Sequence, residues 1–463
     1  EVHGAKLVGL LRGALASAEK PAAVIILFDT GGVRLQEANA GEIAVGDAML
    51  ALLEVRAAGI PVVALLGGRA GCFGGGSLVA ACCSGRAISE PGRLGVSGPE
   101  VIETTFGAEE FDSRDRPLAW RIVGGRTRYL LASADLYVND TIPAFRAAAL
   151  SLIDHAPAFD AAQLGRQHAA LAARTQRLRG LRDATEIWPL LGLPVTIQDV
   201  PDDTYRQLVS GPRLDSPEAN DEVTERQPFA LSTLAAGALG WIGDAWVTPD
   251  GVVGGTVKAA TGEAIALIGL VHGAPLGVSA CVTLAGALAV IMAKAPGRPI
   301  LILVDTIGQK MSRSDELLGL NQAIGQVAES IVLARHRGHR VVTLLMGKAA
   351  AAAFIALVLM AERVVALPEA EPAVLTLPVI ARVTKMPIEE LERLSQTTPV
   401  LAPGLAPMQR LGVVHEVRPA NAALKGRLEE LLLSETLAEQ KDAAAARPYR
   451  DLIARVQRLV AAA

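Results

Sequence analysis

The chain has 463 residues, 51% hydrophobic and 20% charged, enough to bury two ordinary cores and too apolar for a disordered polypeptide. A formal charge of -4 and 3% aromatic content leave neither the basic surface nor the stacking platforms that nucleic-acid binding requires. Cys72, Cys82, Cys83 and Cys281 form no CxxC pair and have no histidine spaced to complete a tetrahedral site, so reduced, buried thiols of a cytoplasmic protein are expected and structural zinc is not.

In chain order, the first strong signal is VIILFD at 24–29, a short apolar run between Pro21 and Gly31 that predicts a strand. A helical pattern through about Arg56 follows, and then a second strand, PVVALLG. Charged helical segments such as AAQLGRQHAALAARTQRLRGLRD, and a polar stretch from Pro201 to Pro228, predict a helical linker. From Ala264 to Ala293 there is no Asp, Glu, Lys or Arg, a length that would span a bilayer. The break HGAPLG at 272–277 instead predicts a buried strand, a loop and a helix. Two further strands, PILILVD and RVVTLLMG, flank a helix ending near Arg337, and a tail from Asn421 places Leu424, Leu428, Leu431 and Leu432 at helical spacing.

These elements occur twice. The segment from Glu1 to Gly32 lies over that from Leu276 to Gly308, with Asp29 on Asp305, and VVALLGGRAGCFGGGSLVA from Val62 lies over VVTLLMGKAAAAAFIALVL from Val341. Two domains of one fold follow, each a mostly parallel sheet covered by helices, with expected bounds 1–150 and 229–420 around a linker at 151–228 and a tail at 421–463. The second half carries TPDGVVGGTVKAATGEAIALIGLVHGAP ahead of its repeat, so further strands are expected ahead of Glu1 as well.

Chemistry is expected where strands end in turns. Asp29-Thr30-Gly31-Gly32 pairs with the glycine-rich run Gly67 to Gly76, and Asp305-Thr306-Ile307-Gly308-Gln309 pairs with Gly347-Lys348 and the alanines after it. A strand-to-helix turn presents free backbone N–H groups, and glycine admits a substrate oxygen close to them, so each pair reads as an oxyanion hole.

The same residues carry a family resemblance. FDTGGVRLQEANAGE (Phe28 to Glu42) resembles the corresponding motif of the biotin-dependent acyl-CoA carboxyltransferases, and VDTIGQKMSRSDE resembles the motif of their second half. More closely, EVHGAK, TGGVRLQEAN, GCFGG, SGPEVIE and FDSRDRP resemble the beta subunit of bacterial malonate decarboxylase, while 253–417, with TPVLAPGLAPMQRLGVVHEV, resembles the gamma subunit. The resemblance implies two tandem crotonase-like domains of the α/β class. It implies decarboxylation of a malonyl thioester on an acyl carrier protein, with no cofactor bound directly and the substrate held on a phosphopantetheine-type arm.

Under that resemblance the catalytic turns comprise Gly31, Gly32, Gly71, Cys72, Gly74 and Gly75, and the substrate-binding residues are Arg34, Gln36, Glu37, Gly308, Gln309, Gly347, Lys348 and Ala349. Glu37 and Glu42 are candidates for a proton path to the enolate carbon. The expected partners are the carrier protein, an acyl-carrier transferase (alpha) subunit and an oligomer in which beta-like and gamma-like domains pair, with neither nucleic acid nor membrane. The alternatives are a carboxyltransferase passing the carboxyl group to biotin on a carrier, and a non-catalytic scaffold. Gamma-like sequences carry Ser or Gly after Gly347-Lys348, whereas this chain has alanine from Ala349 to Ala353, whose methyls crowd an oxygen; catalysis is therefore expected in the first half.

Overall fold

The computed structural model describes residues 1–32, 34, 37–209, 225–232, 239–373, 377–398, 400–434 and 449–462, with backbone alone at 379, 382 and 383. The first half opens with α1 (Val2–Ala16) and continues β1 (Val24–Phe28), α2 (Ala38–Ala57), β2 (Val62–Leu66), β3 (Cys72–Phe73), α3 (Gly75–Ala81), β4 (Gly85–Ile88) and β5 (Leu94–Gly95). Short helices between Pro99 and Leu130 lead to β6 (Leu136–Tyr137). Strands β1, β2, β4 and β6 form a parallel sheet in that order, which requires a crossover connection between each pair. Strand β2 is buried at every position because helices cover both of its faces, which is why it reads as an unbroken apolar run rather than an alternating one.

The second half adds β7 (Gln227–Pro228), β8 (Ile242–Val247), β9 (Val252–Lys258), β10 (Ala264–Gly273), β11 (Ile300–Thr306), β12 (Val341–Leu345), β13 (Lys348–Ala350), β14 (Arg363–Ala366), β15 (Glu371–Ala373) and β16 (Glu416–Val417). Its main sheet runs β16-β14-β12-β11-β10-β9-β8-β7, parallel from β16 to β10 and antiparallel beyond. Each half also carries a small parallel ladder beside the main sheet, β3 with β5 and β13 with β15. The chain is thus α/β, built as two units of repeated layout. At the β1 edge Ile25 and Leu27 are exposed, whereas β11 in the second half is covered by β10.

The charge-free stretch is strand β10 followed by the helix Val278–Lys294, and no helix among the described residues is long and apolar enough to cross a membrane. The tail leucines Leu424, Leu428, Leu431 and Leu432 are buried against the outer face of the second sheet. Part of the linker forms the helix Ala161–Arg177.

One apolar cluster runs through both halves, from α1, α2 and α3 into the helix Leu320–His336 and the segment Ile355–Leu359. Backbones approach closely there: a Cβ on Gly46 would meet Leu359, and one on Gly325 would stand 2.6 Å from the Cβ of Ala81. Arg56 and Glu329, both buried, form an ion pair across this junction, and Arg56 also donates to the Cys82 carbonyl at 2.6 Å.

Candidate active site

Asp29 and Asp305 anchor the two repeated turns in the same way. Asp29 Oδ1 accepts the Ala70 N–H at 2.7 Å, and Asp305 Oδ1 accepts the Lys348 N–H at 3.0 Å. Gly68 and Gly347 sit where a Cβ would strike those carboxylates, so glycine is required at both positions. The loop before each turn also repeats: Gly32 donates to Thr30 Oγ1 at 3.2 Å with φ +114°, and Gly308 donates to Thr306 Oγ1 at 3.2 Å with φ +113°.

The aligned repeat slips beyond this point. Gly32 lies against Phe73 and Gly74, and Gly308 lies against Ala350 and Ala351, so Gly74 (φ +57°) corresponds to Ala351 (φ +50°) and the second turn is two residues shorter. A π-helical turn at Ile355–Leu359 restores one residue before β14 rejoins β12. The ungapped alignment over Gly71 to Ala80 is therefore corrected, and Gly75 and Gly76 correspond to Ala352 and Ala353.

The two sites differ in what fills them. In the first, the N–H groups of Gly31, Gly75 and Gly76 have no acceptor among the described residues, as expected of a helix N-terminus and the loop facing it. A Cβ on Gly31 would meet nothing within 4 Å, so this position borders open space. In the second, Gln309 Oε1 accepts the Ala352 N–H at 3.1 Å, and exposed Ile307 stands at the position of Gly31. The residue aligned with Gln309 is Val33, whose side chain carries no acceptor.

The expected site residues thus separate. Gly31 and Gly75 keep open amides. The amide of Gly32 is taken by Thr30, that of Cys72 by the Arg93 carbonyl at 2.6 Å and that of Gly74 by the Val96 carbonyl at 3.0 Å, so these three residues shape the turn and do not offer donors. Gly71 (φ +75°) accepts the Thr30 N–H at 2.8 Å. The Cys72 thiol is fully buried, and burial pushes its pKa well up, against a nucleophilic role. Gly76, part of the glycine run, joins the open amides; a Cβ there would stand 2.7 Å from Thr30 Cγ2.

Arg34 is exposed, and Glu37 is the half-buried cap of α2. Gln36 lies outside the described residues. Gly308, Gln309, Gly347, Lys348 and Ala349 surround the second turn, where Lys348 is exposed and Ala349 is fully buried. Glu42 Oε2 is enclosed without a hydrogen-bond partner, and burial raises its pKa well above the usual carboxyl range. It lies one turn before Val45, whose side chain packs on Gly75, so its helix face is the one turned to the first site. Among the described residues no cluster of three or more His, Cys, Asp or Glu is placed to hold a metal ion.

Residues 271–463 match the family described as the malonate decarboxylase gamma subunit. The chain is 42% identical over 160 residues to the "Malonyl-S-ACP:biotin-protein carboxyltransferase MADC" of Malonomonas rubra, covering 32% of this chain and 49% of the relative. It is 37% identical over 123 residues to the same organism's "Malonyl-S-ACP:biotin-protein carboxyltransferase MADD", covering 26% and 42%. The chain spans about half the length of the curated relatives it matches. A solved Pseudomonas malonate decarboxylase hetero-tetramer in complex with malonate is 39% identical over 34% of this chain and 57% of that chain, with a TM-score of 0.32. The hetero-tetramer in complex with coenzyme A is 25% identical over 45% and 90%, with a TM-score of 0.41.

Proposed function

We propose that the chain removes the carboxyl group of a malonyl thioester carried on an acyl carrier protein, at the first-half site. The carbon–carbon bond to the carboxyl group breaks, CO2 leaves, and the electron pair moves onto the thioester, whose oxygen becomes the enolate oxyanion. The N–H groups of Gly31, Gly75 and Gly76 receive that oxygen, and a proton delivered to the carbon gives the acetyl thioester. Each preorganised donor in such a site contributes about 3 kcal/mol to the barrier reduction. Glu42, enclosed and with its carboxyl pKa raised by burial, is the carboxyl assigned to returning the proton. The single observation that carries this reading is the contrast between the halves: open amides beside Gly31, against an Ala352 amide already bonded to Gln309.

The substrate arrives on a phosphopantetheine-type arm in this reading, so the carrier protein and its acyl-transferase subunit are the partners. Pairing of beta-like and gamma-like domains takes place within one chain, and no cofactor is bound by the chain itself. A second reading is favoured by the names of the two Malonomonas relatives, both carboxyltransferases to a biotin protein. There the same enolate forms, but the carboxyl group passes to a biotin ureido nitrogen, whose displaced proton returns to the enolate carbon.

CO2 release from malonyl carrier protein, with and without a biotin carrier, separates the two readings. A Gly31→Val variant, whose Cβ would meet nothing within 4 Å among the described residues, is expected to lose turnover about 100-fold with its folded content, read by circular dichroism, unchanged. Turnover only with biotin selects carboxyl transfer. Unchanged turnover in the variant removes the first-half hole from the mechanism, and no reaction under either condition leaves a scaffold.

A further inference from the structure

The second half reaches into the wall of the first-half site through one buried carboxylate. Glu316, with no exposed surface, lies in the SRSDE run, where its neighbour Asp315 turns the other way and accepts the Val278 N–H at 2.8 Å. Glu316 Oε2 accepts the Val96 N–H at 3.0 Å, and Oε1 accepts the Ser97 N–H at 2.6 Å. The carbonyl of the same Val96 accepts the Gly74 N–H at 3.0 Å. Gly74 is the left-handed residue from which α3 starts, and the next two amides are the open donors Gly75 and Gly76. A single peptide unit therefore separates a carboxylate of the second half from the orientation of the first-half hole.

The contact is built to be held. A Cβ on Gly95 would stand 2.8 Å from Glu316 Oε2, so glycine keeps the carboxylate's place. Fully buried Arg128 donates to the Glu316 carbonyl at 2.8 Å and to the Leu317 carbonyl at 2.9 Å, fixing the main chain from which Glu316 projects. First-half Arg128 grips second-half backbone while second-half Glu316 grips first-half backbone.

We infer that Glu316 is a positioning residue for the first-half oxyanion hole, aligning the Gly75 and Gly76 amides through Val96 and Gly74. The inference rests on the enolate-stabilising reading above. Two N–H groups converge on the carboxylate, and the ionised form accepts both, whereas a protonated carboxyl turns one oxygen into a donor facing an amide. Arg128 and Asp315 are the charged groups that act on it, and burial places its pKa at about 7. The hole is thus aligned above neutrality and loosened as Glu316 takes a proton.

The test uses the full chain with glycine amides labelled by nitrogen-15, as wild type, Glu316→Gln and Glu316→Asp. In the wild type the Gly74, Gly75 and Gly76 amide resonances are expected to titrate together with a midpoint near 7. In Glu316→Gln that titration is lost, and in Glu316→Asp it returns shifted to lower pH. Where malonyl-thioester turnover is measurable, Glu316→Gln is expected to lower kcat about 10- to 100-fold with KM within about twofold, and to abolish the fall of kcat on the acid side. Amides that titrate in the wild type without any turnover would remove the functional reading and leave the positioning intact. Glycine amides that titrate identically in wild type and Glu316→Gln, or a kcat loss no larger than the unfolded fraction measured by circular dichroism, would overturn the inference.

Discussion

Gln309 Oε1 stands 3.1 Å from the Ala352 amide nitrogen and occupies a donor whose counterpart in the first half, the amide of Gly75, has no acceptor among the described residues. A side chain of the second site thus satisfies the helix N-terminus that a substrate oxygen would otherwise meet. Gln309→Ala is expected to lower unfolding free energy by about 1 kcal/mol, the net worth of one hydrogen bond. Hydrogen exchange at the Ala352 amide should accelerate in that variant; exchange unchanged from wild type would show that Gln309 does not hold it.

Ala351 adopts φ +50°, a left-handed conformation that costs an L-residue strain and that its counterpart Gly74 adopts freely. Ala351→Gly is therefore expected to stabilise the protein by about 1 kcal/mol despite glycine's greater unfolded-state entropy. The urea midpoint reads this directly, and a midpoint lowered by the substitution would contradict the assigned backbone.

The Arg56–Glu329 pair joins α2 to the helix Leu320–His336 with both side chains buried. Glu329→Ala leaves a guanidinium enclosed without its counter-charge, and is expected to cost about 3–5 kcal/mol. Replacing both residues with apolar ones of similar size should recover much of that loss. If the double variant is no more stable than Glu329→Ala, the penalty lies elsewhere than in the stranded charge.

Three buried carboxyls, Glu42, Glu90 and Glu316, make stability fall as pH rises. Burial raises Glu316 and Glu90 from the model-compound value of 4.5 to about 7, so the folded state binds protons that the unfolded state has released. Their contribution is complete below about 4.5 and is lost as pH passes 7, on the order of 3 kcal/mol for each. In the opposite sense, Asp183 and Asp202, set below their usual range by hydrogen bonds and charge from Arg121 and Arg126 among others, lose stability as the solution becomes acidic. Urea midpoints are accordingly expected to peak on the acid side of neutrality. A profile rising steadily from about pH 5 to 7.5 would contradict the burial of Glu316 and Glu90.

Much of the fold was legible because each strand is covered on both faces and so appears as an apolar run of the right length. VIILFD, PVVALLG, PILILVD and RVVTLLMG all became strands of the main sheets, and Asp29 and Asp305 proved equivalent in each accepting a backbone amide of its turn. The shortened second turn was not legible. In a run of five alanines, Ala349 to Ala353, any register looks alike, and the residue returned by the π-helical turn at Ile355–Leu359 leaves the flanking strands only one residue out of step. The glycine motifs marked the first candidate site, yet they could not separate Gly31 and Gly75, whose amides find no acceptor among the described residues, from Gly32 and Gly74, whose amides are already used.

The sequence by itself determined the duplication, the α/β class and the two repeated turns, because hydrophobic period and glycine placement are local properties. Only the tertiary structure decided which turn is open, since that depends on Gln309 reaching Ala352 across a loop. It also decided that adjacent carboxylates serve different halves, Asp315 at Val278 and Glu316 at Ser97. Neighbours along a chain share no information about the direction of their side chains until a helix fixes it, and the acceptor each one finds is supplied by residues far away in sequence.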